Sequence, residues 1–259
     1  MRAGDWLLLV VIGLALVLTV ADGVTGGTLA GWIGSQFYPM AQSIGRALVL
    51  VGFALAPLLI LPLVCGLVGC LAGLPDPIAG LCRRVIHVID GISIAVGDAA
   101  RWLALGLVIV TATVVIQRYV FGFASTKLQE SIIYLHALLF LLSAGATLLA
   151  DGHVRVDIVY SKLSARGKAW TDLIGTYFAL FPMGLLILWV STPYINASWR
   201  ILERSRESDG LPLVFVLKTA IPLFAVLMIL QGSAMALRAA LVLSGKHSPP
   251  TPLAAETEA

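Results

Sequence analysis

The chain has 259 residues, 59% hydrophobic and only 12% charged, with a mean hydropathy of +0.97. A soluble domain is about a quarter charged, so the composition excludes an ordinary soluble protein and points to an integral membrane protein. The net charge of +3 does not imply nucleic acid, because the basic residues sit between apolar runs, where Lys and Arg set orientation in a bilayer.

A helix needs about 17 to 25 apolar residues to cross the hydrocarbon layer, and six segments come near that length. The first is Trp6–Ala21. It reads either as a retained span or as a signal peptide cleaved after Ala21. The second lies within Ala47–Leu74, with Pro75 and Pro77 predicted to end it. Gly69 and Gly73 in this run form a Gly-xxx-Gly motif that permits close helix approach. Cys65, Cys70 and Cys82 match neither a zinc site nor a redox motif and are expected to be unpaired structural thiols.

Before the third segment, Arg83, Arg84, His87 and Asp90 recur at helical spacing, opposite Cys82, Val85, Ile86, Ile89 and Ile92. This pattern predicts a short helix lying in the membrane interface; a polar extension of the next span is the other reading. The third span is Trp102–Ile116, flanked by Arg101 and Arg118. The fourth is Ile132–Ala150. The fifth is Leu173–Pro193, where Pro182 predicts a kink. The sixth is about Thr219–Leu237, with Pro222 suited to a first helical turn. Lipid offers no partner to exposed backbone polar groups, so all are helical.

With a cytoplasmic N-terminus, ten Lys and Arg residues fall inside and seven outside. The bias favours both termini in the cytoplasm of a multi-pass inner-membrane protein. The tail, residues 244–259, is polar and proline-rich and is expected to be disordered.

Little reactive chemistry is available. His136 lies inside the fourth span, and an intramembrane ionisable group is a functional suspect. It reads as a packed histidine or as a haem ligand, although no second histidine stands on a facing span. Along the same stripe, Ser143 and Thr147 suit helix–helix contact. Gln231 is expected to make an interhelical hydrogen bond. Phosphate-loop, zinc-protease and nucleophile motifs are missing, as are paired broken helices of a carrier. No enzyme activity, metal or cofactor is expected.

Three polar islands stand between the last four spans: "QRYVFGFASTKLQESIIYLH", "DGHVRVDIVYSKLSARGKAWTDLIG" and "SWRILERSRESDGLPLVFVLKTAIPLF". In this order and spacing, the chain from Asp98 to Leu243 resembles the small, Q-type membrane subunit of tripartite ATP-independent periplasmic (TRAP) transporters. The family's "RYVFG" element falls on Arg118 to Gly122. Its acidic helix entry falls on Lys127, Gln129 and Glu130, without the usual tryptophan and one acid. "GHVRVD" is complete at Gly152 to Asp157. The last element falls on Glu207, Ser208, Gly210, Leu211 and Pro212, followed by Lys218 and Pro222.

The resemblance implies an all-α integral membrane protein with a four-helix small-permease core. An N-terminal extension of one or two further spans, residues 1–80, precedes a membrane domain at 81–243 that includes the interfacial helix. It implies a large membrane subunit and a periplasmic solute-binding protein as partners, with the lipid bilayer. Such a subunit scaffolds the large one and takes part in ion-coupled uptake of an organic anion. Arg118, Gln129, Glu130, His136, His153, Arg155 and Asp157 are the expected subunit-contact residues. Arg200, Arg204, Arg206 and Glu207 are the expected docking residues for the binding protein. A haem-binding anchor of a redox complex is the competing reading, resting on His136.

Overall fold

The computed structural model describes residues 57–69, 73–153 and 157–249, the side chain of Asp157 excepted, together with single positions among residues 5–32. Most of the first expected span, Cys70, and residues 154–156 with Arg155 lie outside the described residues, as does the tail beyond residue 249.

The described residues are helical, without strands. α1 is Pro57–Gly69, apolar but short. α2 is Asp76–Tyr119, α3 Thr126–Leu149, α4 the single turn Asp157–Tyr160, and α5 Ala165–Gly175. A π-helical turn, Thr176–Leu180, joins α5 to α6, Phe181–Arg200; α7 is Val214–Leu243. Among the described residues, four helices are long and apolar enough to cross a membrane: α2, α3, the run Ala165–Arg200, and α7.

α2 has 44 residues and at 1.5 Å per residue is about 66 Å long, twice the hydrocarbon thickness of about 30 Å. The segment expected to lie flat before Trp102 is therefore the first half of one unbroken helix. No proline interrupts residues 78–119, so the backbone ladder has no reason to stop. Its start fits Pro75, whose carbonyl accepts Ile78 and Ala79 N–H at 3.1 and 3.0 Å. Pro77 in the first turn costs no intrahelical bond. Asp90 does not join the polar face with Arg84 and His87; it is buried beside Ile86, Ile89 and Ser93. Pro222 is not in a first turn either, since α7 begins eight residues earlier. Ahead of Pro182 the helix widens, and Phe181 N–H bonds Thr176 O, five residues back. A π turn near a proline absorbs the donor the ring lacks.

Helix ends share one device. Gly122, Asp151, Leu202 and Gly245 have positive φ of 71°, 56°, 45° and 71°. Bonds such as Gly152 N to Thr147 O, 2.9 Å, and Lys246 N to Leu241 O, 3.0 Å, close the last turns. This left-handed stop satisfies orphan carbonyls.

The chain forms two compact units. One gathers residues 1–50, 95–143 and 189–223; the other gathers 51–94, 144–188 and 224–259. In the second, α7 is central: Gln231 to Ala234, Ala236, Leu237 and Ala239 to Leu241 are buried. Cys65, Ala79, Cys82, Ile86, Ile89, Leu237 and Leu241 pack into one cluster. Glycines set the closest approaches. A Cβ on Gly184 would stand 2.8 Å from Ile229 Cγ1, and one on Gly69 2.6 Å from Ser244 Cβ. Gly73 instead takes a positive φ of 74° ahead of α2, so only Gly69 of the expected Gly-xxx-Gly pair mediates helix approach.

In the first unit, Ile195 and Trp199 of α6 pack on Phe215 of α7, the Trp199 and Phe215 rings meeting edge-on at 4.8 Å. Here Arg101 and Trp102 of α2 both donate to Asp5 Oδ1, at 2.8 and 3.0 Å.

Candidate functional site: a pinned loop and two contact faces

The loop between α6 and α7, residues 201–213, is fastened at both ends. At its start Leu202 is held in the left-handed region, where a bulky side chain costs roughly 1–2 kcal/mol. Two bonds offset this: Glu203 N–H reaches Ser198 O at 3.0 Å, and Ser198 Oγ donates to Glu203 Oε2 at 2.7 Å. Lys218, one turn into α7, pairs with Glu203 at 2.5 Å and sits 4.1 Å above the Tyr194 ring. Its ammonium, first as hydrogen-bond donor, holds the Glu203 carboxyl below the usual carboxylate range; Ser198 assists. Trp199 Nε1 donates to Thr219 Oγ1 at 2.9 Å.

Glu130, in the second turn of α3, grips the far half of the loop. One carboxylate oxygen accepts the Ser205 hydroxyl; the other accepts Leu211 N–H at 2.6 Å. Ser205 N–H in turn reaches Leu211 O at 3.2 Å, and Lys127 pairs with Asp209 at 2.8 Å. Gly210 makes room: a Cβ there would meet Ser205 and stand 2.7 Å from Glu130 Oε1. A carboxylate accepting from a hydroxyl and a backbone amide makes charge-assisted bonds, stronger than neutral ones.

The loop thus presents Arg200, Arg204, Arg206 and Glu207, all exposed, on a fixed backbone. On α3, Gln129, Ile133, His136 and Phe140 fall at helical spacing and all are exposed. Among the described residues, no group of three His, Cys, Asp or Glu side chains is placed to hold a metal. The arrangement offers exposed surfaces on a fastened backbone.

Residues 107–241 match the family described as tripartite ATP-independent periplasmic transporters, DctQ component. The chain belongs to that family. It is the small membrane subunit of a TRAP transporter, a multi-pass component of the transport system, and the match gives a haem-anchor reading of His136 no support. No curated protein and no solved structure matches the chain.

Within this subunit the expected contact residues separate. Gln129 and His136 share the exposed α3 face; Glu130, one position on, is turned onto the chain's own loop. Arg118 ends α2, exposed, next to the Gly122 turn, and His153 is exposed beyond the α3 stop. Arg155 and the Asp157 side chain lie outside the described residues. Asp151 has a plain structural part as the left-handed residue that terminates α3.

Sequence reasoning missed Ser205 and Gly210 as fastenings, and it missed the buried ion pair of Asp90 with Arg238. The pair is extended by Gln231, whose Nε2 donates to Asp90 Oδ1 at 3.3 Å. Gln231 Oε1 accepts from Ser93 at 2.7 Å, as its interhelical role required. A usable signal existed: Asp90 and Arg238 each lie inside apolar helical sequence near the same expected boundary.

Proposed function

We propose that this small TRAP subunit is a non-catalytic brace. It holds the large membrane subunit, where solute transport and ion coupling reside, and helps seat a periplasmic solute-binding protein that delivers an organic anion. It works in the inner membrane of a bacterium, with both termini cytoplasmic, as the excess of Lys and Arg in the even connections favours.

The observation that supports this reading best is the separation of roles on α3. The exposed stripe of α3 carries the polar Gln129 and the ionisable His136 between Ile133 and Phe140, on a helix otherwise fit for lipid. Ionisable groups are costly facing lipid and are expected against protein. That face suits the large subunit. The pinned 201–213 loop suits the binding protein, because charges of both signs steer encounter and fix orientation more than they add affinity.

Reconstitution tests the proposal. Proteoliposomes holding this chain alone should show no saturable solute uptake. Vesicles with the large subunit, this chain and the binding protein should show it, and vesicles lacking only this chain should lose it. Saturable uptake by the chain alone, or full uptake without it, would overturn the reading.

A further inference from the structure

In the second unit Arg166, Trp170 and Ile174 of α5 stand four apart and are all exposed, and Phe178 in the π turn continues the row. Residues at this spacing share one face of a helix. Ala169 and Leu173 are buried instead and pack with Ala236, Ala239 and Leu243 of α7. The row is therefore the face of α5 that this unit leaves uncovered. From Arg166 to Phe178 it runs about 18 Å at 1.5 Å per residue, close to the ~15 Å that one leaflet contributes to the hydrocarbon core.

The row is ordered by chemistry. A guanidinium stands at its head, an indole follows, and beyond the indole it carries only aliphatic and aromatic carbon. Among the described residues, neither the Arg166 side chain nor the Trp170 indole N–H has a hydrogen-bond or ion-pair partner. The first turn of α5 holds no acid. The nearest acid along the chain, Asp172, accepts the Tyr160 hydroxyl at 3.0 Å; two positions from Trp170, it leaves the helix on the opposite side. The contrast with α3 is direct. There the exposed stripe carries Gln129 and His136, which call for protein cover; here nothing below Trp170 does. Tryptophan at a membrane boundary sits at headgroup level, with its ring in the apolar layer and its N–H towards polar groups.

We propose that this face of α5 binds an anionic membrane phospholipid, a phosphodiester whose headgroup carries no cation of its own. The Arg166 guanidinium takes two phosphate oxygens, a geometry its planar fork matches. The Trp170 N–H donates to an ester carbonyl at the glycerol, and an acyl chain lies along Ile174 and Phe178. A zwitterionic headgroup would bring its own ammonium against Arg166, and like charges repel. In the orientation proposed above, α5 enters from the cytoplasmic leaflet, where anionic lipid attracts basic side chains. The inference rests on the chain being a membrane subunit and not on its role as a brace.

The test uses the full-length chain in nanodiscs of equal parts phosphatidylglycerol, phosphatidylethanolamine and phosphatidylcholine. One lipid at a time carries a photoreactive acyl chain, and peptide mapping by mass spectrometry reads where it joins the protein. Phosphatidylglycerol should label residues 166–178 about fivefold more than phosphatidylcholine does, the effect of one basic residue near the membrane surface. Arg166→Gln should bring the two labels level, and Arg166→Lys should keep most of the difference. Arg84→Gln, which removes another exposed cation from the same unit, should leave the ratio unchanged. Level labelling of the wild-type chain by all three lipids overturns the proposal without recourse to any variant. Suppression of the phosphatidylglycerol label by millimolar inorganic phosphate also overturns it, by naming a free-anion site. So does loss of the label once the large subunit is added, which would give this face to protein.

Discussion

Glu130 accepts the backbone N–H of Leu211 at 2.6 Å across 81 positions of sequence, so a helix that opens after one turn fixes a loop that forms two spans later. With Ser205 on its other oxygen, this carboxylate is the one described link from α3 to the middle of the loop besides the Lys127–Asp209 pair. Glu130→Ala should cost about 1–3 kcal/mol, the loss of charge-assisted bonds at a partly buried site. The loop should then open to trypsin at Arg204 and Arg206. Gly210→Ala should do the same by crowding Ser205 and Glu130. Limited proteolysis of the purified subunit reads both; unchanged cleavage rates would show that the loop is held by its ends alone.

The Asp90–Arg238 pair should behave differently from a surface pair. Both side chains are largely buried, 4% and 13% exposed. Removing one partner leaves the other charged and unsatisfied, a loss of about 3–5 kcal/mol, whereas replacing both with apolar residues of similar volume is often neutral. Asp90→Leu should therefore lower the thermal transition in detergent sharply, and Asp90→Leu with Arg238→Leu should restore most of it. Gln231→Leu should fall between, since it strips one bond each from Ser93 and Asp90. If the double variant is no better than the single, the pair is not the unit that matters.

How much of this could be read beforehand follows from distance along the chain. The long apolar runs located the four spans, and Gln231 was rightly expected to bond between helices, because each is a local property. Asp90 was placed on the wrong face since its neighbours Arg84 and His87 are exposed and periodicity gives a face, not a partner; the partner is 148 positions away. Cys65 and Cys82 were read as unpaired structural thiols and both are free and buried; that their sulfurs lie 3.6 Å apart needed the fold. The grip of Glu130 on residues 205–211 needed the fold itself. So did the continuity of α2, where a polar face suggested a separate interfacial helix although nothing in the sequence broke the backbone.

The two cysteines give a direct check on where α1 sits. Both are buried, at 3% and 1% exposed, so a membrane-permeable oxidant such as copper–phenanthroline should join them within the chain. The sulfurs need close only from 3.6 Å to about 2.05 Å, while the copper oxidant takes up the two electrons and the two thiol protons pass to solvent. Mass spectrometry should find the intrachain 65–82 link, and Cys65→Ser should abolish it. Cross-linked dimers in its place would mean that α1 does not pack on α2.

Glu203 sets the pH response of the outer loop. Lys218, and next Ser198, lower its folded-state pKa from the ordinary value of 4.5. A depressed carboxyl contributes stability that is fully present above the unfolded value and is lost as pH falls through the folded one. The Glu203–Lys218 contribution should thus be constant near neutrality and disappear only below about pH 4.5. In Lys218→Met the acid loss should begin at higher pH, because the carboxyl returns towards its ordinary range. Trp199, which donates to Thr219 beside this pair, is a built-in reporter. Its fluorescence should change in the acid limb in the wild type and at higher pH in the variant; coincident titrations would show that Lys218 does not hold the loop.

Docking through the exposed arginines should leave a kinetic mark. Arg200, Arg204 and Arg206 stand on a backbone fixed by Glu130 and Glu203, so replacing all three with Gln removes charge without unfastening the loop. Charges at the rim of an interface act on encounter rate and salt dependence, and screening sets in over about 8 Å at physiological ionic strength. In the reconstituted three-component system, uptake by the wild type should slow as salt rises from 20 to 300 mM, the range in which the Debye length shrinks through roughly 20 to 6 Å. The triple variant should be slower at low salt and nearly flat across the range. A companion change, Gln129→Ala with His136→Ala on α3, should instead reduce copurification with the large subunit and leave the salt slope alone. If the arginine variant loses copurification and the α3 variant loses salt dependence, the two faces have been assigned to the wrong partners.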